Sequence, residues 1–124
     1  MAGILSSTMD ETLGLQWKTF PVHLERIFRN LREDSHFTDV TLVSDELIQI
    51  PAHRVILCAC SPVLGKLLAS NPNSHPLLYM RGIKQSELQA LLNFMYLGEA
   101  QIPMNRVDNF LMVAKDLELS LIHI

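Results

Sequence analysis

The sequence is poor in the residues that build metal centres, export signals and nucleic-acid grooves. Cysteine occurs twice, at Cys58 and Cys60. With one residue between them a mutual disulfide is geometrically poor. Free thiols fit a reducing compartment, cytosol or nucleus. No apolar run reaches the ~18 residues of a membrane span. The opening stretch MAGILSSTMDETLG has neither a basic start nor a long apolar core, which speaks against a secretory signal. Basic residues are few: ten Lys and Arg stand against thirteen acids, for a net charge of −3. A nucleic-acid binder shows a basic stripe. The nearest thing here, Arg26, Arg29 and Arg32 in ERIFRNLRED, reads as the solvated edge of a helix.

What is present is enough apolar material for one domain. The chain has 124 residues, 48% of them hydrophobic. Residues 1–11 are small and polar without a period and read as a flexible N-terminal segment. Residues 12–120 form the domain and 121–124 a tail. Leu13, Leu15 and Trp17 alternate as one face of a strand. Leu24, Ile27, Phe28 and Leu31 recur at helical spacing, with Pro21 near the helix start. TDVTLV and ELIQI read as two strands around a turn at Ser44-Asp45. HRVILCAC is ambiguous and is read as a short helix. Ser61-Pro62 then opens a second helix, serine as N-cap and proline at the first position. After the loop NPNSHP comes a short strand, LLYM. Ser86 and Gln89 have capping-box spacing at the head of a helix that Gly98 should end. EAQI reads as a brief strand, and Asn105 as the cap of a last helix carrying Val107, Phe110, Leu111 and Ala114. Five helices around a small central sheet make an α+β domain.

No convincing catalytic set emerges. Cys-x-Cys lacks the spacing and the second pair that zinc sites use, so Cys58 and Cys60 are read as small hydrophobes. Gly65-Lys66 fails as a phosphate loop, because Cys60 and Leu67 stand where glycine and Ser or Thr are needed. The sequence suggests no cofactor and no metal, and a protein that is not an enzyme.

The stretch FTDVTLVSDELIQIPAHRVILCACSPVLGKLL, taken as one unit, resembles the signature of the BTB domain, also called POZ. The matching elements are Asp39-Val40, Ala52-His53-Arg54, the apolar Val55 to Cys60, and Ser61-Pro62; LQALLNFMYLGEAQI matches a later element through Tyr96, Gly98 and Glu99. SNPNSHPLLYM is similar to the Tramtrack-type group of insect transcription regulators. That group also begins with a Phe-x-Leu-Arg-Trp-Asn strand. Here Gln16 replaces the arginine and Lys18 the asparagine, so the strand is divergent.

The resemblance implies a nuclear homodimer, with association to higher oligomers, other BTB domains and transcriptional co-regulators. Within it the N-terminal strand is exchanged between subunits. Leu13, Leu15, Trp17, Leu24, Ile27, Phe28 and Leu31 would line the dimer interface. Asp39 and Arg54 would form a charged pocket there, the alternative being that Asp39 caps a strand start and Arg54 is solvated. His53 would be a buried residue fixing the loop before a core helix. DNA contact would come from separate modules, with no direct nucleic-acid binding by this segment and no membrane role. The rival implication is an adaptor for a cullin-type ubiquitin ligase. Such adaptors carry a hydrophobic-x-Glu motif after the Ser-Pro helix, and ASNPNSHP has no glutamate.

Overall fold

A computed structural model describes residues 2–7 and 11–119. The order is β1 (Ala2–Ser7), β2 (Leu13–Trp17), α1 (Phe20–Glu33), β3 (Val40–Val43), β4 (Gln49–Ala52), α2 (Arg54–Cys60), α3 (Pro62–Ala69), β5 (Leu77–Tyr79), α4 (Gln85–Leu97) and α5 (Val107–Asp116). A 3-10 turn, Met104–Arg106, leads into α5.

Two sheets result. β4, β3 and β5 form the central one, with β3 in the middle. β3 runs antiparallel to β4, pairing Val40 with Ala52 and Val43 with Gln49. It runs parallel to β5, pairing Thr41 with Leu77. A middle strand covered on both faces needs apolar residues without alternation, and all four residues of β3 are buried. The core joins that strand to Leu57 and Leu64 of the α2–α3 pair and to Leu88, Leu91 and Leu92 of α4, all close to fully buried.

The ends of the helices follow their sequences. Ser61 has no exposed surface; its hydroxyl accepts the Leu64 amide at 3.1 Å and donates to the Leu117 carbonyl, tying the start of α3 to the end of α5. Gly98 ends α4 at φ +78°, a left-handed cap that costs glycine little. α4 itself begins at Gln85, ahead of the expected Ser86, and the carboxylate that accepts the Lys84 amide is that of Glu87.

Three expectations are corrected. Residues 2–7, read as part of a flexible segment in which no strand was assigned, form β1 and pair antiparallel with β2 across an irregular step between Ile4 and Ser6. The strand bearing Leu13, Leu15 and Trp17 therefore has a neighbour in its own chain. AGILSS is too short, and interrupted by that step, for an alternating pattern to show. EAQI is not a strand: residues 99–102 have no ladder partner, although Ala100 and Ile102 pack partly against the core. Asn105 does not cap α5; it sits inside the 3-10 turn, and the helix starts after Arg106.

Candidate association surface

β2 and α1 share one property: they bury little. No residue of α1 is buried, despite its apolar stripe. Leu13 is 60% exposed and Leu15 64%. The stripe divides by depth. Phe28 and Leu31 lean on the core, Leu24 is half-buried, and Ile27 stays exposed. Trp17, Phe20 and His23 meet at the corner between β2 and α1, with the Trp17 ring 5.3 Å from Phe20 and 4.7 Å from His23. The Trp17 indole N–H donates to Thr19 Oγ1 at 2.8 Å, which sets the ring's direction. Exposed Phe20 extends the patch, whereas exposed Val22, roughly 200° further round the helix, faces away from it. Phe20 falls outside the four-residue stripe read from the sequence and was missed for that reason.

α1 is held largely from its far end. Arg32 donates from Nε to Asn93 Oδ1 at 2.9 Å and from a terminal nitrogen to Gln89 Oε1, both on α4. Burial lowers the pKa of its guanidinium. The helix is thus docked by amide-to-guanidinium bonds at one end while its apolar surface near the hairpin stays uncovered.

A buried relay is centred on His53. The His53 backbone N–H donates to the Tyr96 hydroxyl oxygen at 2.9 Å. The hydroxyl hydrogen then points to His53 Nδ1, at 2.6 Å. Nδ1 therefore accepts, and the proton sits on Nε2, which donates to the His36 carbonyl at 2.7 Å. His53 is a buried structural residue, as the resemblance implies.

The next residue carries the charged pair. Asp39 accepts the Arg54 backbone N–H on Oδ1 at 2.7 Å and the Arg54 Nε–H on Oδ2 at 3.1 Å. Asp39 thus caps the start of α2 while pairing with the first side chain of that helix. Desolvation works to raise the pKa of its carboxyl, but the bonds and charge from Arg54 outweigh it, leaving the carboxyl below its ordinary range. In the single chain the Asp39 side chain is 41% exposed and that of Arg54 35%. The two residues meet, and their outer side is open.

The cysteines are apart in environment. Cys58 is exposed, which corrects its reading as a core hydrophobe; Cys60 is half-buried, its thiol directed at the Met95 carbonyl and pushed up in pKa by burial. A seven-residue helix lying on the surface turns only part of its circumference inward, and Ile56 and Leu57 occupy that part. Among the described residues no three His, Cys, Asp or Glu side chains gather as a metal site requires.

A BTB/POZ family model matches residues 28–123. The chain belongs to the BTB/POZ family. This BTB/POZ domain is 36% identical over 110 residues to the Longitudinals lacking protein-like of Drosophila melanogaster, covering 89% of this chain and 86% of that one. It is 35% identical over 105 residues to Protein tramtrack, alpha isoform, of the same organism, covering 85% of this chain but 13% of that longer protein. Among solved structures the BTB domain of human gigaxonin is similar, with a TM-score of 0.72 at 24% identity over 89% of this chain and 90% of that one, which speaks to the fold. The BTB/POZ fold is a protein-interaction fold.

Proposed function

We propose that this BTB/POZ domain is the self-association module of a nuclear transcription regulator, without catalytic activity of its own. The observation that carries the reading is the uncovered apolar surface of β2 and α1. Leu13, Leu15, Trp17, Phe20 and Ile27 are exposed on two consecutive elements that meet at the Trp17–Phe20 corner. Large apolar side chains gathered on exposed faces in this way mark an interaction surface more often than a bare one. A second copy of the same surface covers it by two-fold symmetry. Leu24, Phe28 and Leu31 then support the seam from beneath, and Asp39 with Arg54 lies along it.

Two further features support exchange of the N-terminal strand. β1 covers only one edge of β2, which leaves the other open. Residues 99–102 are without a ladder partner in the single chain. A strand arriving from a second chain would satisfy both. Likeness to Protein tramtrack supports the regulator reading over the ubiquitin-ligase adaptor, and the absence of a glutamate in the loop after α3 agrees. Association would gather DNA-binding modules located elsewhere, raising avidity without new base contacts, and would admit other BTB domains and co-regulators as partners.

Light scattering at micromolar concentration tests the reading. The expected mass is about 28 kDa, twice the 14.1 kDa chain, or a higher multiple. A single 14.1 kDa species would overturn it.

A further inference from the structure

The central sheet has two edges, and they are finished differently. β4 carries Pro51, and proline on an edge strand blunts it against further pairing. β5, Leu-Leu-Tyr, has no such guard within the strand. The Thr41 amide donates to the Pro76 carbonyl at 3.0 Å and the Met80 amide to the Val43 carbonyl at 2.8 Å, so the even-numbered residues of 76–80 are the ones whose backbone bonds β3. The N–H and C=O groups of Leu77 and Tyr79 point the other way, and no strand among the described residues pairs with them.

The side chains at those two positions are open as well. Leu77 is 59% exposed and Tyr79 52%, while Leu78 and Met80, on the opposite face, pack against the core. The Tyr79 ring is held in place. Its hydroxyl donates to Asp45 Oδ1 at 3.0 Å, and the same oxygen accepts the Gly82 amide at 3.0 Å. An open backbone edge carrying exposed apolar side chains is the chemistry that receives another strand.

We infer that the β5 edge pairs antiparallel with the β5 edge of a second copy of this chain, and that this contact links dimers into higher oligomers. The inference rests on the self-association reading and deepens it. A two-fold axis through Leu78 sets Leu77 opposite the second copy's Tyr79, and Tyr79 opposite its Leu77. Every outward backbone group is then matched, with two hydrogen bonds at each pair. Each exposed leucine lies across from an aromatic ring, a favourable cross-strand pair. Pro76 falls opposite Met80, where neither backbone faces the seam, so its missing N–H is not felt. Size argues for the occupant. A three-residue strand buries far less than the about 800 Å² per partner of a stable interface, so a free peptide would hold this edge poorly. Every dimer carries two such edges. In a closed ring of dimers the last contact forms at high effective concentration, and individually weak contacts become sufficient. A copy already joined to another through β2 and α1 is the partner that gains from this edge.

Light scattering over a dilution series compares the full chain with two double variants. Leu77→Lys with Tyr79→Lys sets like charges opposite each other across the seam. Leu77→Lys with Tyr79→Glu sets opposite charges there. Both sites are exposed, so circular dichroism should show unchanged folds. Wild type is expected to grow with concentration past twice the 14.1 kDa chain. The Lys/Lys variant should stop at the dimer, and the Lys/Glu variant should regain the larger species. Met104→Lys, at a site 92% exposed in the 3-10 turn, should behave as wild type. Hydrogen exchange of the wild-type chain reads the same contact without a substitution: the Leu77 and Tyr79 amides should exchange about tenfold or more slower in the larger species than in the dimer. A wild-type dimer that never grows, a larger species that the Lys/Lys variant forms equally well, or amides that exchange alike in both species overturns the β5 contact alone. A wild-type chain that is monomeric throughout overturns self-association and the β5 contact with it.

Discussion

Removing one oxygen atom, by Tyr96→Phe, should cost this domain a large part of its stability. The Tyr96 hydroxyl accepts the His53 amide and donates to His53 Nδ1. Tyr96 and His53 are 6% and 5% exposed, so solvent does not readily replace what is lost. A made hydrogen bond contributes about 1 kcal/mol net, but a buried group left without its partner costs ~1–3 kcal/mol. Two such groups are orphaned, and Nδ1 loses the partner that fixed its tautomer. The expected loss is about 2–4 kcal/mol, or a fall in Tm on the order of 10 °C for a domain of this size. Urea unfolding of wild type and variant at one protomer concentration measures it, since association adds its own stabilisation by mass action. The chain's other tyrosine is the internal control. The Tyr79 hydroxyl donates to Asp45 Oδ1 at 3.0 Å at an exposed site, so Tyr79→Phe should cost about 0.5 kcal/mol or less. If the two variants unfold at the same urea concentration, the relay does not hold the loop before α2 as described.

Asp39→Asn should lower melting temperature and association together, by ~3–5 kcal/mol if a second copy covers the pair against ~0–1 for the half-exposed pair of a single chain; adding Arg54→Gln should restore part of the loss, and a single variant that melts like wild type at every concentration rejects a covered pocket. Glu87 is buried on α4 and accepts from Arg106 at 2.8 Å and from Asn109. Desolvation works to raise its pKa, but bonds from Asn109, Lys84 and Arg106 outweigh it, so the carboxyl titrates below its ordinary range. A depressed carboxyl contributes stability that is whole above the unfolded value, about 4.3, and lost as pH falls through the folded one. Glu87→Gln should therefore cost most at neutral pH and progressively less below about pH 4, and pH-dependent melts showing a constant difference would refute this. Cys58→Ser should change stability by about 0.5 kcal/mol or less and Cys60→Ser by about 1 kcal/mol; stoichiometric zinc in the wild-type protein by elemental analysis would contradict the reading of both.

The elements most easily read from sequence were those whose signals are local. Ser61-Pro62 and Gly98 announce helix ends by their own chemistry, and the structure places them there. β3 was visible for the same reason, whereas the apolar run of α2 was ambiguous in type and its reading as a short helix agrees with the structure. What escaped was whatever depends on a distant partner. β1 is a strand because β2 lies beside it, and EAQI is not one because no strand among the described residues pairs with it. Of the candidate surface, Asp39 and Arg54 were expected to meet through the resemblance, not through spacing. The open edge of β5 left no mark in any periodic pattern. LLYM reads as a strand, but which of its sides a neighbour covers is decided by where β3 lies, and that is not written in composition or spacing.

The parallel pairing of β3 with β5 has a bearing on how the chain reaches its fold. Thr41 cannot meet Leu77 until the segment between them, containing β4, α2 and α3, has been gathered in. The β3–β4 hairpin and the α2–α3 pair are local and can form quickly, whereas closing that long segment incurs its loop entropy before any ladder bond repays it. By contact order, completion of the sheet around the core residues of β3 is expected to be a late event. Until β5 arrives, Val40 and Leu42 belong to a half-covered strand with an open edge, and a chain that also presents an uncovered α1 then exposes two adhesive surfaces at once. The interval before β5 docks, more than the finished fold, is where this sequence is most exposed to misassociation.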